Sequence, residues 1–130
     1  MGMYTGLRGR VKLKSQEIID ALIDCDFNWK CVGDILKNEI IKEYSGVIRC
    51  NMIPLGSICY IPWDKENTIE NGIWTFSCSL KNYEGTIKNF IDNVLPEIAI
   101  AWDLESLYEE CDTPIKYKHN SEKMRGGERN

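Results

Sequence analysis

Two stretches of strict alternation constrain this chain more than any other feature. Residues 7–14 set Leu7, Val11 and Leu13 on one side and Arg8, Arg10, Lys12 and Lys14 on the other. Ile73 to Lys81 does the same, with Trp74, Phe76, Cys78 and Leu80 opposite Thr75, Ser77, Ser79 and Lys81. A period of two belongs to a strand with one apolar face, which needs a second layer to cover it.

The segments between these strands supply that layer. Ser15 offers an N-cap oxygen, Glu17 suits the positive end of a helix, and Ile18, Ile19, Leu22 and Ile23 recur at helical spacing to about Cys25. Asp26 to Trp29 reads as a break. Val32, Ile35, Leu36, Ile40 and Ile41 then line a second helix ending near Ser45-Gly46, with Gly33 weakening its start. Val47 to Ile53 reads as a strand, stopped by Pro54-Leu55-Gly56-Ser57, with Ile58 to Ile61 returning as its hairpin partner. Asp64 to Gly72 is polar and reads as an exposed loop. Asn82 caps a helix through Leu95 whose stripe is Ile87, Phe90, Ile91, Val94 and Leu95. Pro96 breaks or kinks that helix, or Ile98 to Trp102 extends it by a turn. Leu104 to Glu109 is a last strand.

Two β-α-β-type halves in this order predict an α+β fold, a ferredoxin-like sandwich: an antiparallel sheet with helices on one face and the other face open. Residues 1–118 form the expected single domain, and 119–130 a polar tail expected to be disordered. On this layout Arg8, Arg10, Lys12, Lys14, Thr75, Ser77, Ser79 and Lys81 share the open face.

Charge is segregated along the chain. Residues 1–14 hold four basic side chains and no acidic ones, residues 116–130 hold five basic against two acidic, and the 101 residues between hold 7 basic and 18 acidic. No apolar run approaches a membrane span, and the first residues lack the apolar core of a signal peptide, so the expected location is the cytoplasm, without a membrane partner. Cysteines at 25, 31, 50, 59, 78 and 111 form no C-x-x-C pair, which argues against a zinc site and, in that compartment, for reduced thiols. No cofactor is expected.

Three surfaces are candidates for function. The basic row Arg8, Arg10, Lys12 and Lys14 suits phosphates or single-stranded nucleic acid, but Trp74 and Phe76 face the core, so the aromatic platform of sheet-face RNA binders is missing. The plainer reading of that row is cross-strand pairing of Arg8 or Arg10 with Glu105 or Glu109. Tyr60-Ile61-Pro62-Trp63 beside Asp64, Glu66 and Glu70 is the most suggestive patch for protein binding, with Trp29 and Trp102 as further aromatics outside the best core stripes. Third, an acidic body can imitate a nucleic-acid backbone and occupy a basic groove. Catalysis has little support: His119 is the one histidine, no phosphate-loop, zincin or nucleophile-elbow motif occurs, and no catalytic residue is assigned.

Tyr4-Thr5-Gly6-Leu7-Arg8-Gly9, the run Trp74 to Tyr83, and Leu107-Tyr108-Glu109-Glu110 before Asp112 and Pro114 together resemble small proteins carried by phages and prophages of low-GC Gram-positive bacteria. The likeness spans most of residues 4–118. It implies a non-enzymatic accessory protein acting in the bacterial host cell on a host protein, such as an inhibitor of a defence protein like a CRISPR effector. It supplies no site residues. The alternatives are nucleic-acid or nucleotide binding through the basic face, and a structural or assembly subunit, which would form a homo-oligomer.

Overall fold

The computed structural model describes residues 3–124. Both alternating stretches are strands: β1 (Thr5–Leu13) and β3 (Ile73–Leu80) pair antiparallel, with Val11 opposite Trp74. Both of those side chains are fully buried, so the apolar rows face the core as the alternation requires. Three further strands, β2 (Glu66–Glu70), β4 (Ala99–Tyr108) and β5 (Ile115–His119), complete a five-stranded antiparallel sheet in the order β2-β3-β1-β4-β5. Gly9 lies at a close approach of β1 to β4: its φ is +146°, and a Cβ there would lie 2.2 Å from the Asp103 carbonyl oxygen.

Helical segments cover one face. In α1 (Gln16–Asp24) the Ser15 hydroxyl accepts the Ile18 N–H, and Ile18, Ala21 and Leu22 are buried. The second expected helix is two. α2 (Trp29–Leu36), capped by Asn28, ends at Lys37 in the left-handed region, and Asn38 caps α3 (Glu39–Tyr44). Gly33 is there for packing: a Cβ on it would stand 2.9 Å from the Lys42 backbone nitrogen, so the absence of a side chain lets α2 and α3 meet. The expected helix from Asn82 runs as a 3-10 turn (Tyr83–Gly85), α5 (Thr86–Asn89), a π turn (Phe90–Val94) and α6 (Leu95–Ile98), with Pro96 accommodated in its final turn.

Several expectations are corrected. Val47 to Ile53 is not a strand, nor Ile58 to Ile61 its partner: this stretch is turns and the kinked α4 (Met52–Leu55). Its backbone serves buried side chains instead, because Ile53 O accepts Trp29 Nε1–H at 2.7 Å and Ile48 O accepts the Thr86 hydroxyl at 2.8 Å. The loop expected over 64–72 contains the edge strand β2, closed onto β3 by Asn71 and Gly72, both at positive φ. Ile98 to Trp102 does not extend the helix, since β4 begins at Ala99. The polar stretch from 119 divides: His119 ends β5 and residues 122–124 form a helical turn with Met124 buried, while 125–130 lie outside the described residues.

The core gathers Trp29, Tyr44, Trp74, Phe76 and Phe90, with ring centroids 4.6–6.3 Å apart. Trp29 is therefore a core residue, and Trp102 is 8% exposed with His119 stacked on it at 4.5 Å. Cys25 and Cys31 form a disulfide across the α1–α2 turn, against the expectation of reduced thiols throughout. Cys50 and Cys78 are free and buried, and burial pushes the Cys78 thiol up to about 12.

Candidate interaction surface

The register of β1 places Arg8, Arg10 and Lys12 on the face away from the helices, beside Ser77, Thr75 and Ile73 of β3. Lys14 lies just past the strand, its N–H bonded to Ile98 O at 2.9 Å. That face follows the plainer reading, cross-strand pairing, at Arg8 and is not a bare basic platform. On β4, Glu105 stands opposite Arg8 and Asp103 opposite Arg10; on β5, Lys116 stands opposite Glu105. Arg8 Nε donates to Glu105 Oε2 at 2.7 Å and Lys116 Nζ to Oε1 at 2.9 Å. The Lys116 hydrogen bond chiefly holds the Glu105 carboxyl below the usual carboxylate range; burial opposes it, and the Arg8 hydrogen bond and the attraction of both cations add to the lowering. Three strands thus neutralise one another across the sheet.

Two segments cover the same face. Residues 56–64 fold over its lower part: Ile61 is buried, and Trp63 lies half-buried with the Arg8 guanidinium 4.0 Å above its ring. Gly6 permits this, since a Cβ there would meet Ile61 Cγ2 at 2.8 Å and the Trp63 ring at 3.0 Å. Ser79 anchors the segment by accepting Cys59 N–H at 3.0 Å and donating to Ser57 O. Lys65 Nζ ties it further to the Pro54 and Gly56 carbonyls, at 3.1 and 3.0 Å. At the other end Met124 is buried beside Thr68, Ile73 and Thr75, and Lys12 Nζ reaches Lys123 O at 3.5 Å. Ser77 and Ser79 are accordingly buried rather than displayed.

What is displayed lies at one end of the strands. Tyr60 is 79% exposed, sits at φ +60°, and its ring contacts Tyr4 at 5.7 Å. Thr5 pairs with Leu80 on one side and Tyr108 on the other, so the start of β1 and the ends of β3 and β4 meet at this rim. Tyr83 and Tyr108 are exposed there and line a cavity of about 280 Å³ with Met3, Thr5 and Asn82. Lys81 Nζ lies 5.6 Å from the Tyr4 ring centre, and the Arg49 guanidinium 5.3 Å from that of Tyr83. Asp64 is exposed next to this end, while Glu66 and Glu70 are exposed along the β2 edge.

No protein-family model matches this chain, and no curated protein or solved structure matches it either. The surface is therefore read from its chemistry alone. Of the sequence-derived candidates, the structure brings Arg8 and Trp63 into contact and leaves Tyr60 outermost. Asp64, Glu66 and Glu70 stay in solvent, and Arg10 and Lys12 lie beside Met124 around a second cavity of about 300 Å³. Tyr4, Tyr83 and Tyr108 were missed. Each stands outside or at the end of its strand, where alternation carries no information, and only the strand order shows that those ends converge. Among the described residues no group of three metal-ligating side chains converges, and no helix is long and apolar enough to cross a membrane.

Proposed function

We propose that this chain is a small non-enzymatic binding protein that docks its tyrosine-bearing end onto a host protein. Following the phage and prophage resemblance, the sharpest form of this reading is inhibition of a bacterial defence protein, such as a CRISPR effector, in the host cytoplasm. One observation carries it: Tyr60 is 79% exposed in a backbone conformation that a bulky residue rarely adopts and is supported by Tyr4, with Tyr83 and Tyr108 exposed around the Thr5 end of the strands. Tyrosines offer large, stiff, amphipathic contact area and are common among the anchors of interfaces. The exposed Asp64 nearby favours a basic partner surface. Against nucleic acid as the ligand stands the neutralised, covered sheet face. Against catalysis stands His119, stacked flat on Trp102 with its Nε2 3.2 Å from Asn120 Nδ2.

We read the architecture as a ferredoxin-like sandwich with an added strand. The order β2-β3-β1-β4, all antiparallel, supports this, and β5 extends it as a hairpin on β4.

Expression of the protein in a phage-immune host tests the function. It should restore plaquing by a phage that the defence system targets, and capture of the defence protein in stoichiometric amounts should accompany it. Tyr60→Ala should abolish both while leaving the thermal unfolding midpoint unchanged. Failure to restore plaquing in CRISPR-immune hosts, with no stoichiometric partner captured from their lysates, would remove the reading. So would full activity of a Tyr60→Ala, Tyr108→Ala double variant.

A further inference from the structure

The two edges of the sheet are open and opposite in charge. β2 and β5 are its outermost strands, each five residues long, and among the described residues no backbone hydrogen bond reaches the outer side of either. Such edges template further strand pairing unless something blocks it. On the face away from the helices β2 presents Glu66, Thr68 and Glu70, and β5 presents Lys116 and Lys118. On the helix side β5 presents Ile115, 60% exposed, and Tyr117, which faces an open groove of about 590 Å³ that also includes Ile91, Pro96 and Trp102.

We propose that these edges join copies of the chain head to tail, β5 of one copy adding alongside β2 of the next. Topology and charge both select this arrangement. Neighbouring strands are antiparallel throughout, so β2, β1 and β5 run in the same direction. Copies set side by side with like faces up therefore meet through a parallel β5–β2 junction. Residues abreast in such a junction share a face, which puts the lysines of one copy among the glutamates of the next. The register with Lys118 beside Glu70 sets Lys116 beside Thr68, diagonal to both Glu66 and Glu70, and Tyr117 beside Ile69. Pairing two β5 edges about a two-fold axis normal to the sheet would instead oppose lysine to lysine, and two β2 edges glutamate to glutamate. Like charges directly opposite destabilise strand pairs, so the symmetric dimers are disfavoured. A heterologous contact of this kind does not close on itself by necessity and adds copies stepwise.

The contact is small, so association belongs at the weak end of protein interfaces. Sedimentation velocity across roughly 10–500 μM protein should show a reversible, concentration-dependent rise in mean mass, weakened several-fold when salt is raised to about 1 M, where screening shortens the Debye length to about 3 Å. Glu66→Lys with Glu70→Lys should give a monomer, as should Lys116→Glu with Lys118→Glu. An equimolar mixture of the two should associate again. Lys116 also serves Glu105, so Lys118→Glu alone provides a second variant should the double change disturb the fold; it should reduce association at least several-fold. A wild-type protein that stays monomeric over this range would overturn the proposal, as would variants that associate like wild type or a mixture that remains monomeric. The surface is separate from the tyrosine end: loss of self-association in these variants leaves the plaquing test of that end unaffected.

Discussion

Replacing Glu105 with Gln tests whether the face away from the helices is a self-neutralised ladder. Glu105 has 15% of its side chain exposed and accepts from Arg8 and Lys116, whose side chains are 43% and 60% exposed. A hydrogen bond to a charged group contributes about 1.5–3 kcal/mol when shielded, and an exposed ion pair about 0–1 kcal/mol. Lys116 belongs with the exposed pairs, and Arg8 falls between the two classes. Glutamine keeps an acceptor for one of the two donors, so the expected loss is about 1–2 kcal/mol. That corresponds to a fall in Tm of roughly 3–10 °C for a domain of this size. The pH dependence has a definite sign. The folded carboxyl is held below its ordinary range, so it binds a proton less readily than in the unfolded chain, whose value is about 4.3. The stabilisation is fully present above that unfolded value and is lost as pH falls through the folded one. Urea unfolding followed by tryptophan fluorescence should separate wild type from Glu105→Gln near pH 7, and the gap should narrow as the pH falls below the unfolded value of about 4.3. Equal stabilities at neutral pH, or a gap that does not narrow with acid, would refute the ladder.

Further outcomes follow from the core and the turns. Trp29→Ala removes a fully buried ring and orphans the Ile53 carbonyl, and should cost about 3–5 kcal/mol in denaturant unfolding. Gly9→Ala should be comparably damaging, about 3 kcal/mol or more, because its Cβ would strike the Asp103 carbonyl in a backbone conformation strained for alanine. Replacing Cys25 and Cys31 together by Ala should lower stability by about 2 kcal/mol, the entropy of opening a short loop, measured against wild type without reductant. With the disulfide intact, thiol labelling at neutral pH should reach Cys111 first and Cys78 only on unfolding, since Cys111 is exposed and Cys78 is buried with its thiol raised to about 12. Labelling of Cys78 at the rate of Cys111 would contradict the burial.

The legible parts of this fold were those with a period. The alternation at Leu7 and Trp74 located the two central strands and oriented them, and Ser15 marked the start of α1 by its side-chain oxygen. The segment 47–53 misled because its apolar residues are not spaced for a sheet. Cys50 and Ile53 are buried three apart while Ile48 is exposed, and the bonds that fix their backbone come from Trp29 and Thr86, distant in sequence. β2 was hidden for the opposite reason: as an edge strand with Glu66, Thr68 and Glu70 in water it is as polar as a loop, and Asn71-Gly72, read as part of that loop, was the hairpin signal that could have identified it. At the candidate surface, Tyr60 and Trp63 were local features of the sequence. The covering of Gly6 by Ile61 and Trp63 was not, because it depends on a segment more than fifty residues away finding a strand position with no side chain.

The charge segregation along the chain has a topological cause. The basic N-terminal stretch becomes β1 and the basic stretch after Pro114 becomes β5, while the strand between them in space is β4, carrying Asp103 and Glu105 from the acidic body. Charges sorted by sequence are thereby interleaved in space, and the row that looks strongly basic when β1 is read alone faces Glu105 at Arg8 and Asp103 at Arg10, with Lys12 left between Ile73 and Ala101. The same interleaving stops at the margins, because β2 and β5 have a neighbour on one side only. Glu66 and Glu70 therefore stay in solvent at one edge and Lys118 at the other. The two open edges carry charge of opposite sign, glutamates on β2 and lysines on β5, with no strand on their outer side, and this is why strand-to-strand electrostatics remain free to act there on another molecule.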